Sequence, residues 1–162
     1  MSDRMRALSS LLAVVFIGLA SAQAPADGTA DHWHLQEPSR IEWRAADSLP
    51  PGAEVAVLEG DPSKEGFFTM RIRMPDGFRV PPHSHARQER VTVLSGVLNL
   101  GSGDRFDATK TKALAAGTYS SMPAGMTHFG WMTGETVLQL STIGPWSITY
   151  VDPKDDPRTN RD

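Results

Sequence analysis

His83 and His85 stand one residue apart in Pro81-Pro82-His83-Ser84-His85, and Glu89 follows four residues later. In an extended strand, residues i and i+2 point to the same side, so these two imidazoles can converge on one point. Taken alone, the pair reads equally well as two exposed loop histidines. The carboxylate at Glu89, at or beyond the next bend, shifts the balance toward a metal site. A further ligand must come from elsewhere in the chain. His128 is the candidate, at the end of Pro123-Ala124-Gly125-Met126-Thr127-His128. Neutral imidazole combined with carboxylate suits a divalent Fe, Mn, Ni, Cu or Zn ion better than Mg or Ca. The remaining two of the five histidines lie in His32-Trp33-His34. They have no carboxylate at matching spacing and fit an arm or strand that docks on the body better than a second site.

The segments that must position these ligands read as short strands. Turn signals recur at Pro50-Pro51-Gly52, Gly60-Asp61-Pro62, Pro75-Asp76-Gly77, Gly101-Ser102-Gly103-Asp104, Gly125 and Gly134. Between them the sequence alternates with period two. Phe68, Met70, Ile72 and Met74 share one face, and Thr69, Arg71 and Arg73 the other. Arg90–Leu100 reads as two β-rich runs joined at Ser95-Gly96, and Glu135–Ile143 alternates again. Short strands spaced by turns argue an all-β sandwich or barrel. No convincing helical stripe follows residue 40; a turn or two near Arg44–Ser48 is the one place for a helix.

With these residues in view, the sequence resembles the cupin superfamily. Its first motif is Gly, five residues, His-x-His, three or four residues, Glu, six residues, Gly. Here Gly77, His83, His85, Glu89 and Gly96 occupy every fixed position. At the ~7% frequency of glycine for each, five matches arise by chance at about two in a million starting points. The second motif is Gly, five residues, Pro-x-Gly, two residues, His, three residues, Asn. It is met by Gly117, Pro123, Gly125 and His128, with Met132 in place of the final Asn. The resemblance implies a cupin-type jelly-roll β-barrel (a double-stranded β-helix) with no free sheet edge. It also implies one divalent metal ion on His83, His85, Glu89 and His128, with one or two coordination positions open. The Met132 departure touches local turn geometry and hydrogen bonding around the site rather than the ligands.

Composition bounds the rest. The chain has 162 residues, a formal net charge of -3 and no cysteine, which excludes thiol catalysis, zinc-thiolate sites and disulfides. No Lys/Arg cluster marks a nucleic-acid surface. Arg4 and Arg6, the apolar run Ala7–Ala20 and the small residues Ala20-Ser21-Ala22 read as a cleaved signal peptide over residues 1–22. The apolar run is shorter than the ~20 residues a membrane span usually takes. The expected organisation is therefore a signal peptide (1–22), a flexible arm (23–39), a cupin β-barrel (40–151) and a polar C-terminal tail (152–162). The product would be periplasmic or secreted, with no stable membrane span after cleavage and with a homodimer compatible with the resemblance.

The expected activity is that of a metal-dependent oxidoreductase of the dioxygenase type acting on a small molecule. Glu89 would serve as ligand and proton acceptor, and Tyr150 is a candidate acid or hydrogen-bond donor. Two alternatives stay open. One is metal-dependent isomerase or lyase chemistry on a sugar or oxo-acid. The other is a binding module without turnover. Met70, Met74, Met122, Met126 and Met132 are read as core filling, although thioethers beside imidazole would also suit copper. Phe129 and Trp131 should face away from His128, into packing or a dimer contact.

Overall fold

The computed structural model describes residues 33–159, so the expected signal peptide, His32 and most of the expected arm lie outside the described residues. The chain divides into two units, residues 1–33 and 34–162; the folded body is the second. Its strands are β1 (Arg44–Ala45), β2 (Glu54–Glu59), β3 (Gly66–Met74), β4 (Arg79–Ser84), β5 (Glu89–Ser102), β6 (Lys112–Ala115), β7 (Tyr119–Met122), β8 (His128–Gly144) and β9 (Thr149–Tyr150). Three single-turn 3-10 segments are the helical content among the described residues. The one place open to a helix, Arg44–Ser48, begins as β1, where Arg44 and Ala45 pair with Val55 and Glu54, and continues as a turn closed by Leu49 N–H on the Ala46 carbonyl. Backbone pairing at the start of the sheet wins over a weak local helix preference.

Two long strands organise the body. β5 and β8 pair antiparallel from Arg90–Ser141 to Ser102–His128. One half of this ribbon carries β3, β2 and β1 on one side and β7 on the other. The other half carries β4 and β9 on one side and β6 on the other. The same two strands thus contribute to both leaves of a jelly roll. The segment expected as two runs is one strand, and its register slips at Val93/Ser95 and Ser95/Val97, where a bulge sharpens the twist and lets the strand change leaf. The sheet is not edgeless. It ends in β1 and β9 of two residues each and β6 and β7 of four each; edges this short offer little template for further pairing.

The period-two pattern becomes the core. Phe68, Met70, Ile72 and Met74 of β3 face Leu138 and Leu140 of β8 and Val91 and Val93 of β5, all buried. Thr136 and Thr142 sit on the same buried face of β8, each with its hydroxyl satisfied: Thr142 Oγ1 donates to the Gln88 carbonyl at 2.6 Å, and Thr136 Oγ1 to the Gly134 carbonyl at 3.0 Å. Outside, Thr69 and Ser141 share a hydroxyl hydrogen bond, and Arg73 reaches Glu54 at 2.6 Å across to β2.

The motif glycine Gly96 lies at the bend of β5 with φ +71°. A Cβ there would meet Thr136 Oγ1 at 2.3 Å and the Glu135 carbonyl at 2.5 Å. Left-handed backbone alone costs a non-glycine residue roughly 1–2 kcal/mol, and the overlap with β8 backbone adds to it. Gly96→Ala is expected to lower the unfolding free energy by about 2 kcal/mol or more, read by urea denaturation. An unchanged midpoint would show that the bend tolerates a side chain.

After β9 the chain turns through Pro153–Asp155 and Arg158 returns to the body. Its guanidinium donates to the Ile148 carbonyl at 2.9 Å and pairs with Asp156 at 2.7 Å. On the other side, His34 Nε2 bonds the Leu58 carbonyl of β2. No helix among the described residues is long and apolar enough to cross a membrane.

Candidate metal centre

The four expected ligands come together because the strands bring their ends to one place. His83 lies near the end of β4 and pairs in register with His128, the first residue of β8. His85 follows just past β4, and Glu89 opens β5. All four are buried, at 4–6% exposure. The ligand atoms of His83, His85 and His128 lie within 4.8 Å of one another. Glu89 Oε2 stands 3.3 Å from His128 Nε2 and 3.6 Å from His85 Nε2.

The backbone fixes how the rings point. His83 Nδ1 donates to the Pro81 carbonyl at 2.7 Å, His85 Nδ1 to the Ser147 carbonyl at 2.8 Å and His128 Nδ1 to the Met126 carbonyl at 3.0 Å. A carbonyl only accepts, so each Nδ1 carries its proton and each Nε2 is turned to the shared centre. His85 Nε2 is buried and has no hydrogen-bond partner. Such an orphaned lone pair is costly unless something ligates it. Convergent imidazole nitrogens with a carboxylate beside them are the donor set of a first-row divalent cation. The cluster can hold a metal ion.

Protonation follows from the same geometry. Burial holds His83 down at about 3, with the neighbouring His128 and His85 adding to the effect. Burial also lowers His85, against the pull of Glu89. Burial opposes the charged form of His128 too, yet the Glu89 hydrogen bond and charge together carry it above the ordinary histidine value. Two of the three imidazoles are therefore presented as neutral ligands, and the third shares its proton with Glu89.

A pH dependence follows for the chelator-treated protein. His83 and His85 titrate lower in the folded than in the unfolded chain. Their contribution is present above the unfolded value near 6.5 and is lost as pH falls toward the folded values. His128 has the opposite sign: its contribution is full below 6.5 and fades as pH rises through its raised folded value. Two groups against one predict that thermal stability falls between pH 7 and pH 4. The fall should be shallower in His83→Asn, which has no proton to gain. A slope identical to the parent's would contradict the assignment.

The centre sits at one end of a cavity of about 80 Å³ between the leaves. Its walls come from β2, β3, β4, β5, β7 and β8, with Ser48 and Leu49 from the β1–β2 connection and Trp146 and Ile148 from the segment after β8. Met70, Met74, Met122 and Met132 line it as buried core, whereas Met126 is exposed. Met132, which replaces the motif asparagine, is an apolar wall residue; its backbone N–H and carbonyl are occupied by Phe78 and Gly77.

Sequence reasoning missed Trp146. Its ring stacks on His85 with centroids 4.1 Å apart and planes at 20°, and Phe68 meets its edge at 6.2 Å. The next residue, Ser147, supplies the carbonyl that orients His85. The only signal was Gly144-Pro145-Trp146, a break in the strand pattern with an aromatic directly after it.

The structure does not bring Tyr150 to the cavity wall. Its ring lies 6.0 Å from that of His83, but its hydroxyl donates to the Ser48 carbonyl at 2.8 Å. Burial pushes its pKa up, so the proton stays in that bond. Tyr150 thereby ties β9 to the segment carrying Ser48 and Leu49. Phe129 and Trp131 turn away from His128 as expected. Phe129 packs on Phe106 at 5.3 Å, and the Trp131 indole N–H donates to Thr111 Oγ1 at 3.3 Å.

Comparison with known proteins settles the family. Residues 18–149 match the family model described as Domain of unknown function (DUF4437), and the fold and both motifs are those of cupins. The chain belongs to this family, within the cupin superfamily. Germin-like protein 3-1 of Oryza sativa subsp. japonica is 34% identical over 110 residues, covering 65% of this chain and 48% of that protein. The cupin thus spans about half the length of that relative.

Three solved structures share its fold. A polyketide cyclase, RemF, from Streptomyces resistomycificus superposes with a TM-score of 0.61 at 18% identity, over 78% of this chain and 91% of that one. A putative acetylacetone dioxygenase from Methylibium petroleiphilum gives 0.59 at 18%, over 78% and 85%. An RmlC-like cupin from Shewanella frigidimarina gives 0.54 at 16%, over 69% and 91%.

Proposed function

We propose that this cupin is an exported, metal-dependent oxidoreductase of the dioxygenase type acting on a small molecule. The observation that carries the reading is the convergence of three Nδ1-anchored imidazoles and one carboxylate at the polar end of an apolar cavity. His83, His85, His128 and Glu89 would hold the ion, which when bound supplies Lewis acidity and, if it is Fe, Mn or Cu, redox capacity.

The chain's own residues do the rest. The Pro81, Ser147 and Met126 carbonyls keep the imidazoles aimed. The apolar walls exclude water and strengthen every charge interaction at the centre. Glu89 Oε2 faces the centre, 3.3 Å from His128 Nε2, so its carboxylate is placed to take a proton from substrate. Trp146, stacked on His85, closes that side of the centre.

The test is oxygen uptake by the purified chain with a panel of small carbonyl and enol substrates. The reading expects oxygen consumption that His83→Ala lowers by at least about 100-fold, since positioning at the reacting centre is worth that much. Turnover that persists under argon would replace it with isomerase or lyase chemistry.

A further inference from the structure

Apart from the histidines and Glu89, Ser48 is the sole polar residue lining the cavity; every other wall residue is apolar or glycine. No lysine or arginine reaches the lining among the described residues. The nearest cation on the β9 side, Arg158, gives its guanidinium to the Ile148 carbonyl and the Asp156 carboxylate. Tyr150, the other polar side chain close by, spends its hydroxyl on Ser48. Glu89 is the only carboxylate among the lining residues. Moving a carboxylate into such surroundings without a partner costs several kcal/mol, whereas apolar groups gain by burial.

Taking this cavity as the substrate site of the proposed function, we infer that it admits small molecules that are apolar and uncharged away from a single oxygen-bearing head, and that its walls by themselves disfavour carboxylates, sugars and phosphates. The head faces Glu89 and the imidazoles. The body lies against Met70, Ile72, Leu98, Met132 and Leu138. A cavity of about 80 Å³ limits that body to a few carbon atoms. Polar groups beyond the head would find Ser48 alone among polar wall residues, and a charge on the body would find no lysine or arginine.

The experiment compares 3-methylbutan-2-one with pyruvate, which share an acetyl group and differ by an isopropyl group in place of a carboxylate. Binding of each to the full-length chain is read by ligand-observed NMR titration, both as purified and after chelation. Metal content of the same samples is measured separately, so failure of the metal reading shows in that number and failure of the present inference in the ligand ratio. The ketone should bind both forms, and bind the chelated form at least about tenfold more tightly than pyruvate. Leu49→Arg places a cation at a half-buried loop position of the wall and should raise pyruvate affinity at least about fivefold. Pyruvate binding as tightly as the ketone to the chelated chain, absence of ketone binding in both forms, or unchanged pyruvate affinity in Leu49→Arg would each overturn the inference.

Discussion

Glu89→Gln is expected to cut divalent-metal affinity by about 100-fold or more and, in the chelated protein, to drop the His128 pKa from above the ordinary histidine value to below it. Loss of a group that only orients a metal ligand typically costs 10–100-fold, and Glu89 faces the centre directly, so its loss should cost at least the upper end of that range. The second effect follows from how His128 is held. Burial is the largest influence on it and disfavours charge; Glu89, through a hydrogen bond and its charge, is the main opposing influence, with a smaller push from the Met126 carbonyl. Glutamine keeps the shape and removes the charge. Titrating the imidazole signals by NMR, with and without chelator, reads both effects. A His128 value unmoved by the substitution would mean that Glu89 is not the partner that sets its protonation.

The same pair predicts that metal binding releases a proton. Ligation needs the Nε2 lone pair, which in His128 otherwise holds the proton donated to Glu89. Affinity should therefore fall as the pH drops, and fall more steeply in the native chain than in Glu89→Gln, where His128 is already neutral over more of the range.

Phe68→Ala carries the largest expected cost in stability. Phe68 is fully buried, on the inner face of β3, and its ring meets Trp146 edge-on. Truncating a buried phenylalanine costs about 3–5 kcal/mol, because lost transfer energy is compounded by the cavity left behind. The damage should also reach the centre. Trp146 stacks on His85 and loses one of its supports, so its fluorescence should red-shift before global unfolding. Equilibrium urea denaturation followed by fluorescence reads both. A cost below about 1 kcal/mol would mean that the site collapses around the missing ring.

Much of this was legible in the sequence because period-two patterning and glycine placement are local. The face Phe68, Met70, Ile72, Met74 is the buried one. Gly77, Gly96, Gly117 and Gly125 all take positive φ, as strand turns require. The four candidate ligands were legible because two short motifs fix both residue type and spacing. What the sequence hid depends on contacts across long separations. Nothing local says that Trp146 lies on His85, sixty residues away, or that Tyr150 hands its hydroxyl to Ser48. That Arg44 and Ala45 pair with β2 is likewise something no local window sees. Nor could spacing reveal that the three Nδ1 atoms share one arrangement, each on a backbone carbonyl.

The central claim is that His83, His85, Glu89 and His128 form a metal centre. Elemental mass spectrometry of the protein produced in its own host and purified without chelator tests it most directly, with His128→Ala alongside. The account predicts close to one equivalent of a first-row transition metal in the native chain and loss of nearly all of it in the variant. A native chain that carries no metal, and takes none up on incubation with Fe, Mn, Ni, Cu or Zn, would contradict it.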